Sequence, residues 1–302
     1  MKSSCAGRVV VVTGAGRGLG RAHALALAQA GAHVTVNDIG AGLDGAESNE
    51  DPAGQLVEEI TRTGGSALVS HDDISTEEGA AALVDSTIEH FGGLDILVNN
   101  AGILRDRMFV NMSVDDWDAV MAVHLRGTFL TSRHAARLWR EAAKAGKQVD
   151  GRIINTTSVA GLYGNVGQAN YVAAKAGIAA LTITMARELE RYGVAVNAVS
   201  PGAVTRMTEK LLDPERAVGM EPAHVAKLVV WLAGERARGV TGRVIYVNGQ
   251  IVSVADGWTA GRQVTLSPEW KPEELDHVVP SLLAQATPAA RLDGSVPERG
   301  GM

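Results

Sequence analysis

The chain has 302 residues, 46% of them apolar and 21% charged, and a net charge of −6 at neutral pH. That size and apolar content suit a large folded domain and exclude a peptide, a disulfide-stapled miniprotein or wholesale disorder. The acidic balance gives no general field for a phosphate polymer, and no run of eighteen apolar residues and no apolar leader is present, so neither nucleic acid nor membrane is an expected partner. The single cysteine, Cys5, cannot form an internal disulfide and points to a reducing, cytoplasmic setting.

Along the chain, short β-branched runs alternate with longer alanine-rich stretches. Strands are expected at residues 8–13, 33–37, 67–70, 94–99, 152–157, 194–199 and 243–247. Helices are expected at 19–30, 53–63, 77–90, 114–145, 169–192 and 222–233, where apolar residues recur at three and four. The alternation predicts an α/β fold, a doubly wound seven-stranded parallel sheet of the Rossmann type with helices on both faces. No linker or repeat divides it, so residues 1–257 read as one domain and 258–302 as a C-terminal extension. A glycine- and acid-rich loop at 39–51 exceeds what the sheet needs. In the extension, a helix is expected at 272–279, ended early by Pro280. Trp270, Leu275, Val278, Val279, Leu282 and Leu283 make that stretch apolar enough to dock on the main domain or on a neighbour, and the last residues have the composition of disorder.

The first strand runs directly into Gly14-Ala15-Gly16-Arg17-Gly18-Leu19-Gly20 and then into a helix. In that context Gly14 makes a tight turn, Gly18 lets backbone approach a pyrophosphate and Gly20 lets helix pack on strand, with free helix N–H groups meeting the phosphates. Asp38 ends the second strand, 38 − 20 = 18 residues after the last glycine, at the spacing of an acid that holds ribose hydroxyls and repels a 2′-phosphate. NAD is therefore the expected cofactor over NADP. Arg17 argues the other way if it pairs with that phosphate, and not if it is a solvated side chain.

Tyr171 and Lys175 lie at i and i+4 on one helix face, so an ammonium near the phenol is expected to lower its pKa and let it exchange the substrate proton. Ser158, at the end of the fifth strand, can hydrogen-bond the reacting oxygen. Together with Asn99-Asn100-Ala101-Gly102 and Pro201-Gly202, these residues resemble, in order and spacing, the short-chain dehydrogenase/reductase family over residues 7 to 257. The resemblance implies hydride transfer between a nicotinamide and a CH–OH group, with Ser158, Tyr171 and Lys175 catalytic. It implies cofactor contacts from Gly14, Arg17, Gly18, Leu19, Gly20, Asp38, Asp73, Ile74, Asn100, Ala101, Gly102, Tyr171, Lys175, Pro201, Gly202 and Thr205, and no metal. His124 stands where many members place an asparagine that supports a water-linked proton relay; it either holds that water through a ring nitrogen or packs in the helix. Arg206 falls where many members hold the nicotinamide amide with threonine, which leaves that contact to Thr205 or Thr208.

The runs from Asn37 to Gly40, from Asn99 to Arg107, from Val123 to Gly127, from Tyr163 to Tyr171 and Arg206-Met207-Thr208 look like the dehydrogenase domain of peroxisomal multifunctional enzyme type 2 and its actinobacterial relatives. That likeness implies an NAD-dependent oxidation of (3R)-hydroxyacyl-CoA thioesters, of fatty or sterol side chains, with an acyl-CoA as partner. The alternatives are an NADPH-using 3-oxoacyl-thioester reductase and a hydroxysteroid or alcohol dehydrogenase. Arg105, Arg107 and Arg206 either meet coenzyme A phosphates or form solvated or intersubunit pairs. Apolar surface on the two long helices leads us to expect a homodimer or homotetramer.

Overall fold

The computed structural model describes residues 4–46, 50–203, 220–257, 261–269, 271–287, 290–292 and 294–296. The strands are β1 (Val9–Thr13), β2 (His33–Asn37), β3 (Ser66–Ser70), β4 (Ile96–Asn99), β5 (Gly151–Thr156), β6 (Val194–Gly202), β7 (Val244–Asn248) and β8 (Ile251–Ala255). The helices are α1 (Gly18–Gln29), α2 (Pro52–Arg62), α3 (Glu77–Phe91), α4 (Val114–Met121), α5 (Gly127–Lys144), α6 (Val159–Tyr163), α7 (Ala169–Leu189), α8 (Pro222–Ala233) and α9 (Leu275–Leu283). The strands and α1–α8 form a single Rossmann-like domain, one mostly parallel sheet between two helical layers, in the strand order β3-β2-β1-β4-β5-β6-β7-β8. By contrast, α9 of the extension, expected to dock, buries no residue and leaves Val279 and Leu283 exposed.

The valine run of β1 shows why the strands read as continuously apolar. Val10 and Val12 join the core made with Leu27 of α1 and Val229 of α8, while Val11 joins the opposite core with Leu83 of α3 and Trp139 of α5. Every residue of β1 is buried, and its central valines pack alternately against one layer and the other. The strand order reverses between β1 and β4, and a crevice opens there at the carboxyl ends of the strands.

Three further features depart from the sequence expectation. An eighth strand, β8, adds antiparallel to β7 and extends the seven-stranded sheet, because Gly249, at φ +56°, supplies a two-residue hairpin turn after Asn248. The helix expected at 114–145 is broken into α4 and α5 by a π-helical turn at Ala122–Arg126, which contains His124. Pro280 does not end the tail helix but lies inside α9. The carbonyl its missing N–H would have bonded belongs to Asp276, which is exposed and can be hydrated instead. Among the described residues, no helix is long and apolar enough to cross a membrane.

Candidate active site

The crevice is part of one cleft of about 1560 Å³, larger than the 300–1,000 Å³ usual for a small-molecule site. At its inner end the glycine turn is fixed by contact. A Cβ on Gly14, itself at φ +60°, would lie 2.6 Å from the Ala101 Cα, and one on Gly20 would lie 2.0 Å from the Gly14 carbonyl oxygen. Asn100 braces the turn from β4, its side-chain amide donating to the carbonyls of Thr13 and Gly14 at 3.1 Å each. The start of α1 has no side-chain cap, so its first N–H groups are open to an anion. Asp38 accepts from the backbone N–H groups of Gly16 (2.9 Å) and Gly40 (2.8 Å), which aims its carboxylate into the cleft with lone pairs to spare. Arg17, Gly18, Leu19, Asp73, Ile74, Ala101, Gly102, Pro201 and Gly202 line the same cleft. The glycine turn, the open helix start and the carboxylate at the end of β2 fit a dinucleotide. Thr205, Arg206, Thr208 and Trp270 lie outside the described residues.

Further along, Ser158 caps α6, its hydroxyl accepting from the Ala160 N–H at 3.2 Å, and hydrogen-bonds the Tyr171 side chain. Lys175, only 3% exposed, donates to the Thr156 carbonyl at 2.7 Å, and its Nζ lies 5.6 Å from the centre of the Tyr171 ring. Its own backbone carbonyl accepts from the Thr157 hydroxyl at 2.7 Å. Burial pushes the ammonium pKa down to about 7. Tyr171 is pushed above the ordinary phenol value, because burial outweighs the Ser158 hydrogen bond and the Asp106 charge adds to it. The expected lowering of the phenol pKa by Lys175 is therefore not found in the chain by itself: desolvation dominates both groups and weakens the cation meant to stabilise phenolate.

His124 is buried beneath Gly102, with Nε2 3.0 Å from the Ile103 nitrogen and 2.8 Å from the Ile103 carbonyl oxygen. Its ring meets Tyr171 edge-on at 5.3 Å. Burial, then the Lys175 charge, push its pKa down to about 3, so it is neutral at physiological pH. Of the two ring nitrogens, Nδ1 has no protein partner among the described residues.

Several polar groups that organise the site are missed by sequence reasoning. Asn170, fully buried, donates to the carbonyls of Arg105 and Asp116 at 3.0 Å each and accepts from the Tyr171 N–H at 2.8 Å. Under the sheet ends, Asn99 donates to Asn155 (2.9 Å) and Ser132 (2.9 Å) and accepts from Thr131 (2.7 Å), while Asn155 donates to Thr182 of α7 (2.9 Å). This chain ties β4 and β5 to the helices beside them, α7 included. The one available signal for Asn170 is its place immediately before Tyr171.

The outer end of the cleft is lined by Leu43 and Gly45 of the long loop, Leu162 and Tyr163 of α6, Ile251 and Val254 of β8, and Arg291, Leu292 and Gly294 of the extension. Arg105 also lines it and donates to the Asp44 carbonyl at 3.0 Å; Arg107 instead donates to the Asp106 carbonyl at 2.8 Å. Trp139 is a core residue, its Nε1 donating to the Leu94 carbonyl at 2.6 Å, whereas Trp117 and Phe129 are exposed.

The sequence model of the family described as "short chain dehydrogenase" matches residues 8–216. The chain belongs to that family. It is thereby an oxidoreductase acting on CH–OH groups, in a family that uses nicotinamide cofactors. It is 46% identical over 283 residues to the hydroxyacyl-CoA dehydrogenase ChsB1 of Mycobacterium tuberculosis, covering 89% of this chain and 86% of that one. It is 44% identical over 252 residues to peroxisomal multifunctional enzyme type 2 of Mus musculus, covering 83% of this chain but only 32% of the mouse protein. A crystal structure of a short chain dehydrogenase from Mycobacterium avium superposes with a TM-score of 0.87 at 54% identity, over 95% of this chain and 98% of that one.

Proposed function

We propose that the chain is an NAD-dependent (3R)-3-hydroxyacyl-CoA dehydrogenase, acting in the β-oxidation of fatty or sterol side chains. The observation that carries this reading is the cleft itself: the crevice at the glycine turn and Asp38 is continuous, past Tyr171, with an apolar outer end large enough for a bulky acyl thioester. The name of the tuberculosis relative supports the substrate class.

In this reading the glycine turn and the start of α1 hold the pyrophosphate, Asp38 the adenosine ribose, Asp73 and Ile74 the adenine, and Asn100, Ala101, Gly102, Pro201, Gly202 and Thr205 the nicotinamide end, with Tyr171 and Lys175. NAD, when bound, would supply the hydride acceptor and a positive charge in its oxidised form. Ser158 orients the substrate hydroxyl and Tyr171 accepts its proton as the carbonyl forms. Lys175, held beneath the Tyr171 ring, would be favoured in its charged form if it also held the ribose of a bound cofactor, and would then oppose the burial that holds the Tyr171 phenol high. His124 acts as a positioning residue: with Nε2 committed to Ile103, it sets the path of the chain that leaves β4, and Nδ1 is the ring nitrogen left for a water.

The extension beyond Gly257 belongs to the same reading as an addition to the single domain, since Arg291, Leu292 and Gly294 line the cleft that the domain forms. The exposed Trp117 of α4 and Phe129 of α5 support a homodimer or homotetramer, and the lone buried Cys5 suits the cytoplasm. The decisive test is a set of initial rates with NAD and NADP against hydroxyacyl-CoA esters of graded bulk and free hydroxysteroids. The expected result is the highest kcat/KM with NAD and a (3R)-hydroxyacyl-CoA. Preference for NADPH with a 3-oxoacyl thioester, or for a free hydroxysteroid, overturns the assignment.

A further inference from the structure

The dinucleotide end of the cleft carries one cation in the glycine turn, and its partner is not part of that turn. The Arg17 guanidinium forms an ion pair with the Glu50 carboxylate, and its other terminal nitrogen donates to the Ala41 carbonyl at 3.3 Å. The Arg17 side chain is 21% exposed and that of Glu50 is 70% exposed. Glu50 is placed there by the start of α2. Asp51 caps that helix, accepting from the Gly54 N–H at 2.8 Å, and Pro52 fills its first position. Pro52 in turn packs so close to Gly16 that a Cβ there would lie 2.7 Å from it. The long loop folds back to the same point, with Gly40, at φ +77°, pressed against the Glu50 carbonyl. Arg17, Gly16, Glu50 and Pro52 line a second, smaller cavity of about 480 Å³ beside the cofactor crevice.

We propose that Glu50 is a determinant of cofactor choice that works through Arg17: it holds the guanidinium away from the position next to Asp38 that a 2′-phosphate would occupy. The inference rests on the reading of the cleft as a nicotinamide dinucleotide site and adds to it. Discrimination then has two parts, repulsion of the phosphate by Asp38 and sequestration of the glycine-turn cation that would compensate it; Arg21, which lines the same small cavity, is paired with Glu59. Pairing with Glu50 thereby lets an arginine stand in the turn without adding to the affinity for NADP. Because the pair is near the surface, its effect is modest and falls as salt screens it.

The test is calorimetric titration of NAD and NADP into the full chain carrying Glu50→Gln, Asp38→Asn, both, and both with Arg17→Ala, each checked by thermal melting. In the Asp38→Asn background, where the 2′-phosphate is no longer repelled, adding Glu50→Gln should tighten NADP about three- to fivefold and leave NAD within twofold. Adding Arg17→Ala should erase that gain. No NADP gain on Glu50→Gln in either background, an equal gain for both dinucleotides, or a gain that survives Arg17→Ala overturns the proposal. A native chain that binds neither dinucleotide overturns the cofactor reading itself, and this inference with it.

Discussion

At the inner end of the cleft, Gly14, Gly20 and Asp38 are fixed by backbone contacts within about 3 Å, and any side chain added at either glycine meets main-chain atoms. At the outer end, Ile251 and Val254 project from an edge strand paired on one side only, and Leu292 from a turn closed by two backbone bonds, Arg291 N–H to Ser295 and Gly294 N–H to Arg291, each 2.8 Å. The inner end is specified by steric necessity, whereas the outer end is specified by which apolar surface happens to be laid along it. Binding of the cofactor should therefore fail abruptly on substitution, and recognition of the substrate should shift by degrees.

The largest effect is expected from Gly20→Val. With a Cβ 2.0 Å from the Gly14 carbonyl oxygen, the helix must move off the strand, and NAD binding followed by fluorescence or calorimetry should drop below detection. Near-native affinity would show that the turn is not what holds the dinucleotide. Next comes Tyr171→Phe, placed between the two ends. It should lower kcat by about 10²–10⁴-fold while the Kd for NAD stays within about twofold, the signature of a lost proton acceptor. The smallest effect belongs to the outer end: truncation after Gly257 should leave a folded protein with an unchanged KM for NAD and a KM for acyl-CoA raised several-fold. Unchanged kinetics with both would separate the extension from the substrate.

The same contrast explains what the sequence makes legible. The parallel sheet and its helices follow from apolar runs whose two faces are both buried, and the dinucleotide crevice from a glycine spacing that steric contact demands. The Tyr171 and Lys175 juxtaposition follows from helical periodicity alone. What periodicity does not report is desolvation, so the expected low phenol pKa does not anticipate that burial would raise it. Nor does it report partners that meet only in three dimensions: the Arg17–Glu50 pair spans 33 residues, and Asn99 and Asn155 look like ordinary strand-end polar residues until their amides are seen to meet. The π turn at His124 hides inside a helical pattern that continues on both sides of it.

The edge strand β8 has one more consequence, for the order in which the protein is made. The glycine turn, Asp38, Ser158, Tyr171 and Lys175 have all left the ribosome before β7 and β8 are synthesised. The nascent chain can thus close the parallel sheet through β6 and bring Ser158, Tyr171 and Lys175 together while the cleft is still open to water on one side. Only with the β7–β8 hairpin, and last of all the turn at Arg291, does that open side gain its wall. Vectorial synthesis thus lays down the glycine turn, the loop at Leu43 and Gly45, and α6 early, and the β8 side of the cleft late.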